Sequence, residues 1–248
     1  MKPFRILLLA AVVCAAAIAL CGADTLITSK SHTDAMPMAQ KPASDEVQTQ
    51  WIAKDRYRMN AKGSGILVRM DQKKLYVIDD AGKKAQWADL PLDFAKMVSP
   101  DKAAAINAMM AQAKMTATLV PTGETKKIGP WTARRYRIEM KSPMGMTMNW
   151  DVWATRDVKL DYTVFKQMVA NVQGLNPTMS DFAREFMKID GCPVLTEMKM
   201  IVMGASFGQR DEVTAIEDKA PPAGTYEVPQ GYALEKLDMS KFMMRGGA

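Results

Sequence analysis

A chain of 248 residues, 48% of them hydrophobic, is long enough for one large globular domain or two small ones. Its net charge of +6, from 33 basic and 27 acidic residues, lacks the dense basic stripe of a nucleic-acid binder, so nucleic acid is not an expected partner. One histidine and three cysteines leave little for histidine-driven catalysis or a Cys/His zinc centre.

The N-terminus reads as an export signal. Lys2 and Arg5 precede an uninterrupted apolar run from Ile6 to Leu20, and Cys21-Gly22-Ala23 then sets small residues one and three places before a cut after Ala23. The run falls short of the ~20 residues that span a bilayer, so a signal peptide over residues 1–23 is expected rather than a retained anchor. The mature chain belongs in the periplasm or outside the cell, with no transmembrane segment. A lipid anchor through Cys21 is the alternative; Leu20 stands against it, where a lipoprotein signal has a small residue. Cleavage leaves Cys192 alone, which excludes an intrachain disulfide.

The mature chain opens with short strands in hairpin order. Thr25 to Thr33 is the first, and the proline-bearing stretch DAMPMAQKPASDE after it reads as a loop. Val47, Thr49, Trp51 and Ala53 alternate with Gln48, Gln50 and Ile52. Lys54-Asp55 turns, RYRMN returns, and Lys62-Gly63-Ser64-Gly65 turns again. Ile66, Val68 and Met70 alternate with Leu67 and Arg69; DQKK turns, and LYVIDD runs to Ala81-Gly82. Four or five strands at this spacing predict an antiparallel meander.

The period then changes. Ser99-Pro100-Asp101 has the form of a helix start, and the strong helix formers of Ala103 to Ala113 continue it. The preceding DFAKMV is a separate helical turn, because Pro100 breaks continuity. Met115, Ala117 and Leu119 resume β structure, with a turn at Pro121-Thr122-Gly123. ARRYRIEM and MTMNWDVWAT form a hairpin across Ser142-Pro143-Met144-Gly145. Two helices follow. Leu160, Val164, Phe165, Met168, Val169 and Val172 recur at helical spacing, and Met179, Phe182, Ala183, Phe186 and Met187 form an amphipathic stripe after Thr178-x-x-Asp181, which resembles a capping box. Gly191 stops the second helix. VLTEMKMIV and GQRDEVTAIED are the last strand pair, and PPAGTYEVPQGYALEKL closes a single domain over residues 24–238. Residues 239–248 are expected to be a flexible tail.

Strands and helices segregate, which argues α+β: one antiparallel sheet with helices on one side. In SPMGMTMNWDVWAT, Met144, Met146, Met148, Trp150, Val152 and Ala154 fall on one parity. The mostly polar residues Gly145, Thr147, Asn149, Asp151 and Trp153 fall on the other, as in a half-buried strand. Arg135 and Arg137, clustered with Arg134, share a parity read as a solvated outer face. The apolar parity is core, pocket wall or a thioether site. Candidate pocket residues are Met144, Met146, Met148, Trp150, Met198 and Met200 from the sheet, faced by Phe165, Met168, Phe182 and Phe186 from the helices.

Four stretches carry a resemblance: KKIGPWTARRYRIEM, WDVWATRDV, GCPVLTEMKM and TYEVPQGY, spanning roughly Lys126 to Tyr232. In that order they resemble exported bacterial proteins related to the lipoprotein-carrier fold of LolA, LolB and LppX. The resemblance implies a strongly curved antiparallel sheet, an incomplete β-barrel, with helices packed on its concave side. The named carriers bind acyl chains or lipids there; no individual ligand-binding residue transfers. Many relatives carry a cysteine soon after the Gly-x-aromatic stretch, where this chain has Trp131-Thr132-Ala133.

Catalysis finds little support, and no enzyme and no cofactor are expected. His32 is the one possible imidazole base, Cys192 reads as a buried apolar thiol, and the acids Asp79-Asp80 and Asp211-Glu212 alternate to opposite strand faces. Methionine, with 22 residues, is the anomaly. It serves as plastic core filler, as an adaptable pocket wall, or, through His32, Met36 and Met38, as a Cu(I) site. The leading expectation is a non-enzymatic binding protein that holds an apolar or acylated ligand, a lipid or lipoprotein acyl chain, between sheet and helices. The alternatives are a Met-rich copper-binding protein and an envelope structural protein acting through an unknown protein partner.

Overall fold

The computed structural model describes residues 23–35, 42–143, 145–158, 160, 166–167, 177–202 and 205–240. Six strands come first: β1 (Asp24–Thr33), β2 (Ser44–Ile52), β3 (Arg56–Ala61), β4 (Ser64–Arg69), β5 (Lys74–Asp79) and β6 (Lys84–Asp89). A 3-10 turn at Phe94–Met97 and helix α1 (Ala103–Ala113) lead to β7 (Thr116–Ile128), β8 (Trp131–Lys141) and β9 (Thr147–Thr155). Helix α2 (Ser180–Phe186), entered through a 3-10 turn at Pro177–Met179, precedes β10 (Cys192–Val202), β11 (Ala205–Lys219) and β12 (Ala233–Lys236).

All the strands join one twelve-stranded sheet in the order β12-β6-β5-β4-β3-β2-β1-β11-β10-β9-β8-β7. It is curved and does not close, since β12 and β7 remain as edges. Every described pair is antiparallel except β12 on β6. The open, barrel-like α+β architecture is the one expected. Long-range pairing of β1 with β11 joins an N-terminal meander, β1 to β6, to the C-terminal block, β7 to β11. Bulges at Thr28/Ser29, Pro193/Leu195 and Pro121/Thr125 bend the ladders, as an extra residue on one strand does.

The meander is buried on both faces. Ile27, Ile52, Tyr57, Val68 and Leu75 pack together on one side, while their neighbours Leu26, Trp51, Leu67 and Ile78 pack on the other, beneath Tyr226. The segment carrying Tyr226, Val228 and Tyr232 therefore covers the reverse face instead of merely ending the domain. It is fastened by polar contacts. Tyr226 donates to Asp24 Oδ2 at 2.8 Å, Arg69 Nη1 donates to the Tyr226 carbonyl at 2.8 Å, and Tyr232 donates to Asp80 Oδ1 at 3.0 Å.

Several local expectations are corrected. β6 and β12 extend the meander by two strands. Pro121-Thr122-Gly123 is no hairpin turn: β7 runs on to Ile128, and the register shifts there. Ser99 does not cap α1. The cap position is Lys102, and Ser99 donates its N–H to Ser240 Oγ at 2.8 Å. The capping box at Thr178 is not formed either; the cap position is Met179, and Asp181 pairs with Arg184 at 2.9 Å. Met239 and Ser240, read as the start of a tail, are buried. The helix expected over Leu160 to Val172 lies almost wholly outside the described residues.

Gly191 lies beyond α2 and serves a different purpose from a helix stop. Its φ is +107°, and a Cβ there would sit 2.4 Å from the Thr155 carbonyl oxygen. Both the backbone conformation and the approach to the end of β9 require glycine. Gly191→Ala is expected to cost about 2 kcal/mol or more in urea unfolding. Gly123→Ala, at a φ of +74° with open space around it, is expected to cost about 1 kcal/mol.

Candidate functional site

The hairpin of β8 and β9 pairs Met140 with Met148, Ile138 with Trp150 and Tyr136 with Val152. These residues share one face, as the alternation predicts, and α2 lies on it. Phe182 is 1% exposed among Ile138, Met140, Val152 and Met115, with Trp150 and Met148 at the margin. Its ring centroid is 4.8 Å from that of Trp150 and tilted by 51°; Phe186, one turn on, stacks on Phe182 at 5.7 Å. The Trp150 indole N–H donates to Met148 Sδ at 2.8 Å, which orients the ring.

A polar clasp ties the same helix to the sheet edge. Glu185 accepts from the Leu119 N–H of β7 at 3.3 Å and from Lys188 Nζ at 2.7 Å. The Lys188 hydrogen bond holds the Glu185 carboxyl below the usual carboxylate range. An edge-strand donor is thereby satisfied inside the molecule.

Beside this aromatic group lies a cavity of about 210 Å³. Trp150, Phe182 and Phe186 line it from β9 and α2. Ile27 and Ser29 of β1, Gln48 and Gln50 of β2, and Tyr57 and Met59 of β3 line it from the meander. Pro193, Val194, Leu195 and Thr196 of β10 with Asp211 and Val213 of β11 complete the wall. The register explains the meeting: Thr196 lies opposite Val152 on one side and Asp211 on the other, and Asp211 lies opposite Ser31. Tyr57 donates to Gln50 Oε1 at 3.1 Å, and burial pushes its hydroxyl pKa up. Gln209 Nε2 donates to Asp211 Oδ2 at 3.0 Å, while Asp211 Oδ1 is buried with no partner among the described residues.

Of the residues nominated from sequence, Trp150, Phe182 and Phe186 line this cavity. Met146 and Met148 pack in the adjoining core and do not reach it. Met198 and Met200 are half-buried, opposite Trp150 and Met148 in register, but are not lining residues. Met144, Phe165 and Met168 lie outside the described residues. Missed entirely were Ile27, Ser29, Gln48, Gln50, Tyr57, Met59, the Pro193–Thr196 run of β10, Asp211 and Val213. Their signal was the second parity of β2 and the pairing of β1 with β11, which local patterns do not report.

On the opposite face of β9, Arg135 and Arg137 are half-buried rather than freely solvated. They fork onto Asp151 at 2.8 Å each, and Lys126 Nζ lies 3.9 Å from the Trp153 ring centroid. His32 sets Nδ1 at 2.8 Å from Asp45 and Nε2 at 3.4 Å from Asp34, and its pKa is raised chiefly by the Asp45 hydrogen bond. That arrangement favours the imidazolium, which has no lone pair for a metal. Among the described residues, no group of three or more His, Cys, Asp or Glu is placed to hold a metal ion. Met36 and Met38 lie outside them. No described helix is long and apolar enough to cross a membrane.

A family model described as a domain of unknown function, DUF4412, matches residues 35–232. No curated protein matches the chain. Among solved structures, two of PNGF-II are similar at 9% and 11% identity, each with a TM-score of 0.41; they cover 90% of this chain, which spans about a third of their length. A DUF1329 family protein from Desulfovibrio piger is similar at 7% identity and a TM-score of 0.32, covering 87% of this chain and 94% of its own. A domain from Vibrio parahaemolyticus, described as an outer membrane lipoprotein-sorting protein, is similar at 6% identity and a TM-score of 0.29, covering 82% and 89%. At these scores none of the likenesses transfers a ligand or an activity.

Cys192 is fully buried, and burial pushes its thiol up to about 12. At pH 8 the thiol is therefore protonated and shielded. A thiol reagent at pH 8 is expected to leave Cys192 unmodified in the folded protein and to label it at once in 6 M guanidinium.

Proposed function

The chain belongs to the DUF4412 family, and we propose that it is a binding module: it holds an apolar or acylated ligand between the sheet and α2 and performs no chemistry on it. The supporting observation is the cavity itself, walled by Trp150, Phe182 and Phe186 on one side and by Ile27, Met59 and Val194 on the other. Apolar walls with a few convergent polar groups are the usual make-up of a small-molecule site. At about 210 Å³ it falls below the roughly 300–1,000 Å³ of sites for drug-sized ligands. The part of the ligand it buries is correspondingly small, a short chain or the end of a longer one.

The export signal expected from the sequence of residues 1–23 supports an apolar ligand met in the cell envelope. The position of α2 on the face bearing Trp150 supports the reading of helices on the concave side. The ion pairs of His32 offer nothing to the copper alternative.

Native mass spectrometry with solvent extraction of freshly purified protein tests this reading. The wild type is expected to release an apolar or acyl-bearing small molecule. Met59→Trp, which places an indole in the cavity, is expected to release none. An empty wild-type protein that also leaves 1-octanol unbound contradicts the proposal.

A further inference from the structure

The cavity has a polar pole, and we infer that it selects a ligand whose short apolar body carries a protonated amine, seated on Asp211. The inference rests on the cavity being the ligand site. Asp211 is the one charged residue among those lining it. Its Oδ2 accepts a single hydrogen bond, from Gln209 Nε2 at 3.0 Å, and its Oδ1 is buried with no partner among the described residues. Asp211 as a residue is half-buried, but a carboxylate accepts at up to about four positions, and an oxygen shut off from solvent without a donor is unfavourable until a donor or a cation arrives.

The protein's own cations are directed elsewhere. Arg210, next in sequence, is on the opposite parity of β11, where it pairs with Glu197 and with Glu212. Among the described residues, no lysine or arginine lines the cavity to neutralise Asp211. A neutral donor would satisfy Oδ1, but only a cation also balances the charge, and charge-assisted hydrogen bonds are about twice as strong as neutral ones. Trp150 lines the same space, and its ring face attracts a cation as well. Phe182, Phe186 and Met59 leave the remaining wall apolar. With about 30 Å³ per heavy atom in a condensed phase, 210 Å³ holds roughly seven heavy atoms. The ligand class is therefore a short alkyl- or aryl-ammonium, or the amine-bearing end of a larger amphiphile.

Three probes of equal chain length separate this inference from the binding reading beneath it: hexylammonium, 1-hexanol and hexanoate, titrated at pH 7 into the mature protein and followed by calorimetry and NMR. Hexylammonium is expected to bind at least tenfold more tightly than 1-hexanol, with hexanoate weakest, and to show contacts between its methylenes and the Met59 methyl. Asp211→Asn is expected to bring hexylammonium to within twofold of 1-hexanol. If 1-hexanol binds in the cavity as tightly as hexylammonium, the binding reading stands and the ammonium inference is overturned. Hexylammonium bound without contact to Met59 overturns the inference in the same way. If none of the three binds, both fall. The wild-type ranking alone decides the matter if Asp211→Asn does not fold.

Discussion

The contact between Phe182 and Trp150 is the constraint on which the candidate site depends. Helix α2 has seven residues, too few to be stable in isolation, where roughly 12–15 are needed even for good helix formers. Its order comes from what it buries. Phe182 enters the space above Ile138, Val152 and Trp150, and Glu185 of the same helix clasps the edge of β7 at the Leu119 N–H, steadied by Lys188 just beyond the helix. With Phe182 seated, Phe186 follows one turn later and becomes a wall of the cavity. Without that seat the aromatic side of the cavity would open to solvent.

The opposing wall depends on sheet topology. β1 and β11 are far apart in the chain, yet their pairing sets Ser29 beside Val213 and Ser31 beside Asp211. This seam brings the small polar side chains of the meander against the apolar side chains of the C-terminal block. Each half thus contributes a different chemistry: hydroxyls and amides from β1 and β2, aromatic rings from β9 and α2, and one carboxylate from β11. The reverse face has its own cover in the segment around Tyr226, so the meander is packed on both sides and the cavity opens from one of them.

Much of this was legible locally. The alternation in MTMNWDVWAT gave the correct face for Met148, Trp150 and Val152, and the spacing of Phe182 and Phe186 gave the face of α2. Strands whose side chains obey a period of two declare themselves, because burial on one side leaves a pattern. β6 did not, because Ala85 and Ala88 are buried on opposite faces and alanine is a poor strand former. β12 did not, because all four of its residues are exposed. In β2 the pattern misled. Val47 on the supposedly apolar parity is 59% exposed, while Gln48 and Gln50 on the other parity line the cavity. The methionine clusters drew attention by number, whereas the polar pole at Asp211 depends on strand partners from distant parts of the chain, and no local spacing encodes it.

The most direct test of the account is a double-mutant cycle on Trp150→Leu and Phe182→Leu, read by urea unfolding. If the two rings hold α2 on the sheet, the cycle should return a coupling of about 1 kcal/mol, the size expected for a tilted aromatic pair in contact. Strictly additive effects, with coupling below about 0.3 kcal/mol, would mean that the helix is held by something else, and the cavity wall built on that contact would have no basis.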